Sequence, residues 1–281
     1  AAKSAPALRK WLARIISVLV EGMSALEPQT LQYMQFHTAR LRISDEELEA
    51  MRIKMAQSSP LQEALEICLT SLHQATAYNT NATTIPEVMQ GLSQQLQRGV
   101  GLATRVAAAQ SLSQLAERYA VFLGKGSSGV KPAAEAFQCI IWSLTQAPHM
   151  AVTLKKAMTS AFGALCKVVD EEVLASECEQ LVCKYSALQR DQLDQSLVLA
   201  QCIQQIVQRG GSRLEDGVDN RQELWDRLLS CAYLGSHDSD AESKAVWTAT
   251  WQETLSASGV GTKLSALMRI LPQLLTMVHT V

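Results

Sequence analysis

Gly124-Lys125-Gly126-Ser127-Ser128-Gly129 carries the letter pattern of a loop that cradles a dinucleotide phosphate. That chemistry needs a strand before the loop, a tight glycine turn, and a helix N-terminus aimed at the pyrophosphate. The run before it, Leu102 to Leu123, is rich in Ala, Gln and Leu and reads as a long helix. The segment is therefore expected to be a connection between helical units, and no nucleotide or other cofactor is expected.

The five histidines, at 37, 73, 149, 237 and 279, have no metal-ligand spacing with Cys, Asp or Glu, and a metal site needs several convergent ligands. Surface or capping roles are expected for them: His149 follows Pro148 in a turn, and His237 lies just past a helix end. Seven cysteines, at 68, 139, 166, 178, 183, 202 and 231, form neither an even framework nor a tight cluster. Most fall in apolar runs, where a thiol packs as a small hydrophobe, so a reducing compartment is expected. Cys178 and Cys183 are five residues apart, not the two-residue-separated pair of a redox motif.

Asn81-Ala82-Thr83 fits a glycosylation acceptor but reads better as an exposed polar loop. Asp170-Glu171-Glu172 stands where a helix should begin, and carboxylates there complement the helix dipole. Trp247 and Trp251 are four residues apart, with Trp225 in the run before. Paired tryptophans can be a binding hot spot, but here the core between two helices is the favoured place. No catalytic, metal or cofactor residue is assigned, and the sequence names no binding residue.

The elements behind these residues are helical. Lys+Arg 25 against Asp+Glu 27 gives a net charge of −2, without the basic footprint of a nucleic-acid binder. Hydrophobic content is 47%, with only 7 Pro and 14 Gly, which suits long helices with a core rather than disorder or a turn-rich sheet. The most apolar stretch, Ile15 to Val20, is far short of the ~20 residues that cross a bilayer. The chain opens Ala-Ala-Lys and has no signal-peptide pattern, so it reads as a piece of something longer.

Apolar residues recur with a helical period. Leu8, Leu12, Ile15, Ile16, Leu19, Met23 and Leu26 mark one face, which Trp11 widens. The same pattern predicts helices over 60–75, 84–98, 101–123, 130–145, 150–169, 172–188, 190–209, 221–235, 241–255 and 262–279. Capping sequences begin at Ser59, Thr84, Asn220 and Ser239, and Gly99, Gly124, Gly210 and Gly235 follow apolar runs as C-caps would. Leu96, Leu144, Leu188 and Leu234 close comparable first helices 48, 44 and 46 residues apart. Small-residue second helices follow the first three, marked by Ala107-Ala108-Ala109, by Ala161 with Gly163-Ala164, and by Ala200.

A helix pair every ~40–47 residues is the period of HEAT and armadillo repeats. The expected fold is an all-α, HEAT/armadillo-like right-handed solenoid of about five helix pairs plus an unpaired terminal helix. It would form a single segment over 1–281, with approximate repeats at 6–75, 84–123, 130–169, 172–209 and 220–255 and an incomplete one at 262–281. Residues 28–58 read as a loop insertion in the first repeat, holding one short charged helix opened by Ser44. That insertion and 124–130 should be the least anchored segments. The four closing leucines should face the core, and the last helix, Leu264 to Val278, should lie partly on 241–255 and leave an apolar side bare.

Five stretches, in order along almost the whole chain, resemble the large HEAT-repeat proteasome adapter and scaffold family of eukaryotes. They are Ser24 to Tyr33 (SALEPQTLQY), Met55 to Pro60 (MAQSSP), Arg98 to Arg105 (RGVGLATR), Tyr233 to His237 (YLGSH) and Trp247 to Glu253 (WTATWQE). The loops Gly124–Gly129 and Gly210–Asp219 depart from the pattern. The resemblance implies a non-enzymatic adapter that binds the 26S proteasome and supports association of its regulatory and core particles. It implies a cytoplasmic and nuclear protein tethered to ER or endosomes through partners, without membrane insertion. The rival readings are a HEAT scaffold or transport receptor for other proteins, and an enzyme whose site is invisible in sequence.

Overall fold

The computed structural model describes residues 11–25, 29–76, 84–124, 127–146, 150–188, 193–215, 221–257 and 263–279. Every regular element among them is a helix. The chain divides into two compact units, 1–169 and 170–281, and the division falls between the repeats expected at 130–169 and 172–209.

The first unit contains α1 (Leu12–Gly22), α2 (Gln29–Phe36), α3 (Thr38–Leu41), α4 (Asp45–Gln57), α5 (Pro60–Thr76), α6 (Thr84–Arg98), α7 (Leu102–Arg118), α8 (Ala120–Leu123), α9 (Val130–Gln146) and α10 (Val152–Leu165). Helices α1, α6 and α9 pack side by side as one layer, and α4, α7 and α10 form the layer beneath. Helix α7 meets α10 most extensively, and both carry buried small residues, Ala107, Ala108 and Ala109 on one and Ala161 and Ala164 on the other. Phe137 of α9 and Phe162 of α10 stack at 4.8 Å with planes 6° apart, sealing the layers together.

The second unit contains α11 (Glu171–Ser186), α12 (Leu193–Glu215), α13 (Arg221–Gly235), α14 (Ala241–Ala257) and α15 (Lys263–His279). Its layers are α11, α13 and α15 over α12 and α14.

Several details depart from the sequence reading. Residues 28–58 hold three helices rather than a loop with one. Leu31, Leu48 and Ile53 are buried there, and Ser44 and Glu47 close a full capping box that starts α4. Phe36, by contrast, is 86% exposed. The run 101–123 breaks at Tyr119, whose hydroxyl donates to the Leu69 carbonyl at 3.3 Å. Gly210 does not cap α12, which runs on through Gly210 and Gly211 because Leu214 anchors its last turn in the core. Leu96 and Leu144 are buried, Leu188 is half-buried and Leu234 is 37% exposed, so Leu234 does not face the core as expected. Trp11 is exposed and does not extend the α1 face. Helix α15 packs chiefly on α13, its neighbour in the same layer, rather than on 241–255.

Candidate functional site

The residues with chemical potential are spent on joints between helices. After α8 the Ser127 hydroxyl donates to the carbonyls of Phe122 and Gly124, both at 2.7 Å. A side chain at Gly129 would strike the Phe122 carbonyl. This loop follows a helix, not a strand, so the phosphate geometry is missing from its described part. Lys125 and Gly126 lie outside the described residues, as do Asn81–Thr83, Pro148, His149 and Asn220. Among the described residues no group of three His, Cys, Asp or Glu could hold a metal ion, and no helix is long and apolar enough to cross a membrane.

Asp170 caps α11, its carboxylate accepting from the Glu172 amide at 3.0 Å. At the start of α14 the cap is Asp240, which accepts from the Ser243 amide at 2.7 Å, while Ser243 donates its hydroxyl to Asp238. His237 sits against Tyr233, ring centroids 4.8 Å apart, and its Nδ1 lies 2.9 Å from the Tyr233 carbonyl. Cys178 and Cys231 are buried and Cys183 is exposed. Burial pushes the Cys178 thiol up to about 12 and the Cys231 thiol up to about 11, so both stay protonated and unreactive.

Trp225, Trp247 and Trp251 are all core residues. Trp247 is fully enclosed, with Tyr185 of α11 at 4.7 Å and Gly235 of α13 pressed against its indole. A Cβ on Gly235 would lie 2.3 Å from the ring, so the glycine is there for space. Tyr233 and Trp251 meet at 5.5 Å. The stretches 233–237 and 247–253 are therefore two sides of one joint.

A second joint unites 24 with 98–105. Gly101 adopts a left-handed φ of +94°, and a Cβ there would lie 2.3 Å from the Ser24 hydroxyl oxygen. Ser24 accepts from the Thr104 amide at 3.1 Å, meeting an open donor in the first turn of α7. Thr104 donates onward to the Glu21 carbonyl at 3.2 Å, and Arg105 donates to the Leu96 carbonyl at 3.0 Å, at the end of α6. Nothing in the helical period marks these joints, since each joins residues on different helices.

What remains open to partners is surface. In the first unit, two hollows of about 620 and 430 Å³ share Gln57, Gln62 and Glu66 and form one groove. In the second unit, a hollow of about 520 Å³ lies beside Cys183, Arg227 and Gln273. Arg227 there is held by Glu179 at 3.2 Å and Glu223 at 2.7 Å. At the α13–α15 joint, Asp226 pairs with Arg269, and burial raises the Asp226 carboxyl against the pull of that guanidinium.

The sequence profile of the HEAT-repeat domain of proteasome adapter and scaffold protein ECM29 matches residues 8–186. The chain belongs to this family. It is similar to the human proteasome adapter and scaffold protein ECM29, 26% identical over 272 residues, covering 93% of this chain and 13% of that protein. It is also similar to the proteasome component ECM29 of Saccharomyces cerevisiae, 20% identical over 256 residues, covering 91% of this chain and 12% of that one. The chain thus spans about an eighth of the length of these relatives. No solved structure matches it. The all-α HEAT-repeat reading and the family resemblance hold.

Proposed function

We propose that the chain is a non-enzymatic scaffold segment that binds the 26S proteasome and supports the association of its regulatory and core particles. The observation that carries this reading is the match of the ECM29 HEAT-repeat profile to residues 8–186. The structure supports it from another side: Trp225, Trp247 and Trp251, His237, the acidic caps and the buried thiols serve helix joints, which leaves broad surfaces for recognition. The proposal includes its setting, the cytoplasm and nucleus, with any attachment to ER or endosomes made through partners.

The test grafts this chain into a full-length relative in place of the matching segment. A second chimera carries an unrelated HEAT array of the same length. Each is tagged and used to recover proteasome particles from a cell lysate, with native gels resolving free and joined core and regulatory particles. The graft should recover joined particles and the unrelated array should recover few. Equal recovery by both would remove this segment from proteasome binding.

A further inference from the structure

We propose that the groove crossing α4, α5, α7 and α10 is a binding site for an extended peptide carrying lysine or arginine. This is independent of which larger assembly the chain joins. The groove draws on four helices of the first unit. Gln57 ends α4, Gln62 and Glu66 lie on α5, Gln110 and Gln114 on α7, and Ser160 on α10. Its floor is closed by the Ser113 and Ser160 hydroxyls, 3.3 Å apart.

The lining selects the occupant. Each glutamine carboxamide both donates and accepts, as a peptide backbone does. Gln110 and Gln114 are half-buried and one turn apart, a rise of about 6 Å along the helix. Alternate residues of an extended chain repeat every ~6.6–6.8 Å, so a peptide lying along α7 would present like backbone groups to both carboxamides. Gln62 donates to Glu66 at 3.0 Å and holds that carboxylate at the groove. Glu63 stands on the same wall, and among the described residues no lysine or arginine lines either hollow. The groove therefore favours a cationic side chain and disfavours phosphorylated peptides or nucleic acid. Ile67, 60% exposed on the same wall, offers an apolar seat beside the carboxylates.

The probe is a fluorescein-labelled Gly/Ser dodecapeptide bearing Lys and Leu, compared with the same peptide bearing Glu for Lys. Binding to the 281-residue chain is read by anisotropy. The Lys peptide should bind saturably and more weakly as salt rises from ~50 to ~500 mM. Glu63→Gln with Glu66→Gln should weaken it about fivefold, the upper end for an exposed ion pair. Gln110→Ala with Gln114→Ala should weaken it about tenfold, the loss of two hydrogen bonds. Circular dichroism checks that each variant is folded, and hydrogen exchange on the unsubstituted chain should show the Lys peptide protecting 57–71 and 110–114. No saturable binding, equal binding of both peptides, or protection elsewhere would overturn the proposal.

Discussion

Gly235→Ala sets two effects of opposite sign against each other. Gly235 is the last residue of α13, and its φ lies outside the left-handed region. On helix propensity alone, alanine should stabilise by up to ~1 kcal/mol. The added methyl, however, would lie 2.3 Å from both Cδ1 and Cγ of Trp247 and 2.7 Å from its Nε1. That ring is fully enclosed and has Tyr185 against it at 4.7 Å, so it cannot yield as a flexible chain end would. Overpacking of this kind costs about 1–3 kcal/mol, occasionally more, and it should outweigh the propensity gain. The expected net loss is about 1–2 kcal/mol, a fall in Tm of roughly 2–8 °C at ~2–4 °C per kcal/mol. Urea unfolding followed by circular dichroism measures it. Trp247→Leu in the same background should recover part of the loss, because a smaller side chain leaves room for the methyl. A Gly235→Ala chain as stable as the parent, or more so, would refute the argument that this glycine is there for space.

Leu144→Ala should cost about 2–5 kcal/mol through lost burial and a cavity, whereas Leu234→Ala, at a position 37% exposed, should cost well under half of that; denaturant titration of both gives the ratio, and equal losses would contradict the observed packing. For the thiols the folded-state values near 12 and 11 lie above the ordinary value of 9.0, so above pH ~9 the unfolded chain binds fewer protons than the folded one and stability falls as pH rises through 9 to 12. Changing Cys178 and Cys231 to Ala should flatten that alkaline slope, and in the parent an aromatic disulfide reagent should modify exposed Cys183 first; simultaneous reaction of all three in folded protein would count against the burial argument. On α15, Leu264, Met268, Leu271 and Leu275 stand 71%, 68%, 48% and 55% exposed in an apolar row. The isolated chain should self-associate in sedimentation, and Leu271→Glu with Leu275→Glu should release it; a clean monomer at high concentration without substitution would defeat this.

The helices were legible because their apolar faces repeat every three or four residues, a local signal. The reading failed where the deciding contact lay elsewhere in the chain. Tyr119 interrupts a continuous helical pattern because its hydroxyl reaches Leu69, some fifty residues back. Gly210 and Gly211 look like a stop but stay helical because buried Leu214 lies beyond them. Residues 28–58 lack a continuous apolar stripe, yet widely spaced Leu31, Leu48 and Ile53 are enough to anchor two of the three short helices, α2 and α4. The candidate groove left no trace in the sequence at all. Its residues come from 57–71, 110–114 and 160, and glutamine and serine are the residues any solvated helix face would carry.

Four of the five stretches that carry the family resemblance meet in pairs, each pair within one unit. Ser24 meets 98–105 across the first unit, and 233–237 meets 247–253 across the second. In both joints a glycine admits a neighbour that a Cβ would displace, Ser24 at Gly101 and Trp247 at Gly235. Substituting these residues would disturb how helices join, and any lost binding would then report lost structure. Partner contacts have to be sought on side chains that the joints do not use, such as Gln62, Glu63, Gln110 and Gln114 in the groove. The two kinds of position separate by assay: a joint substitution should lower stability and binding together, and a groove substitution should lower binding with stability unchanged.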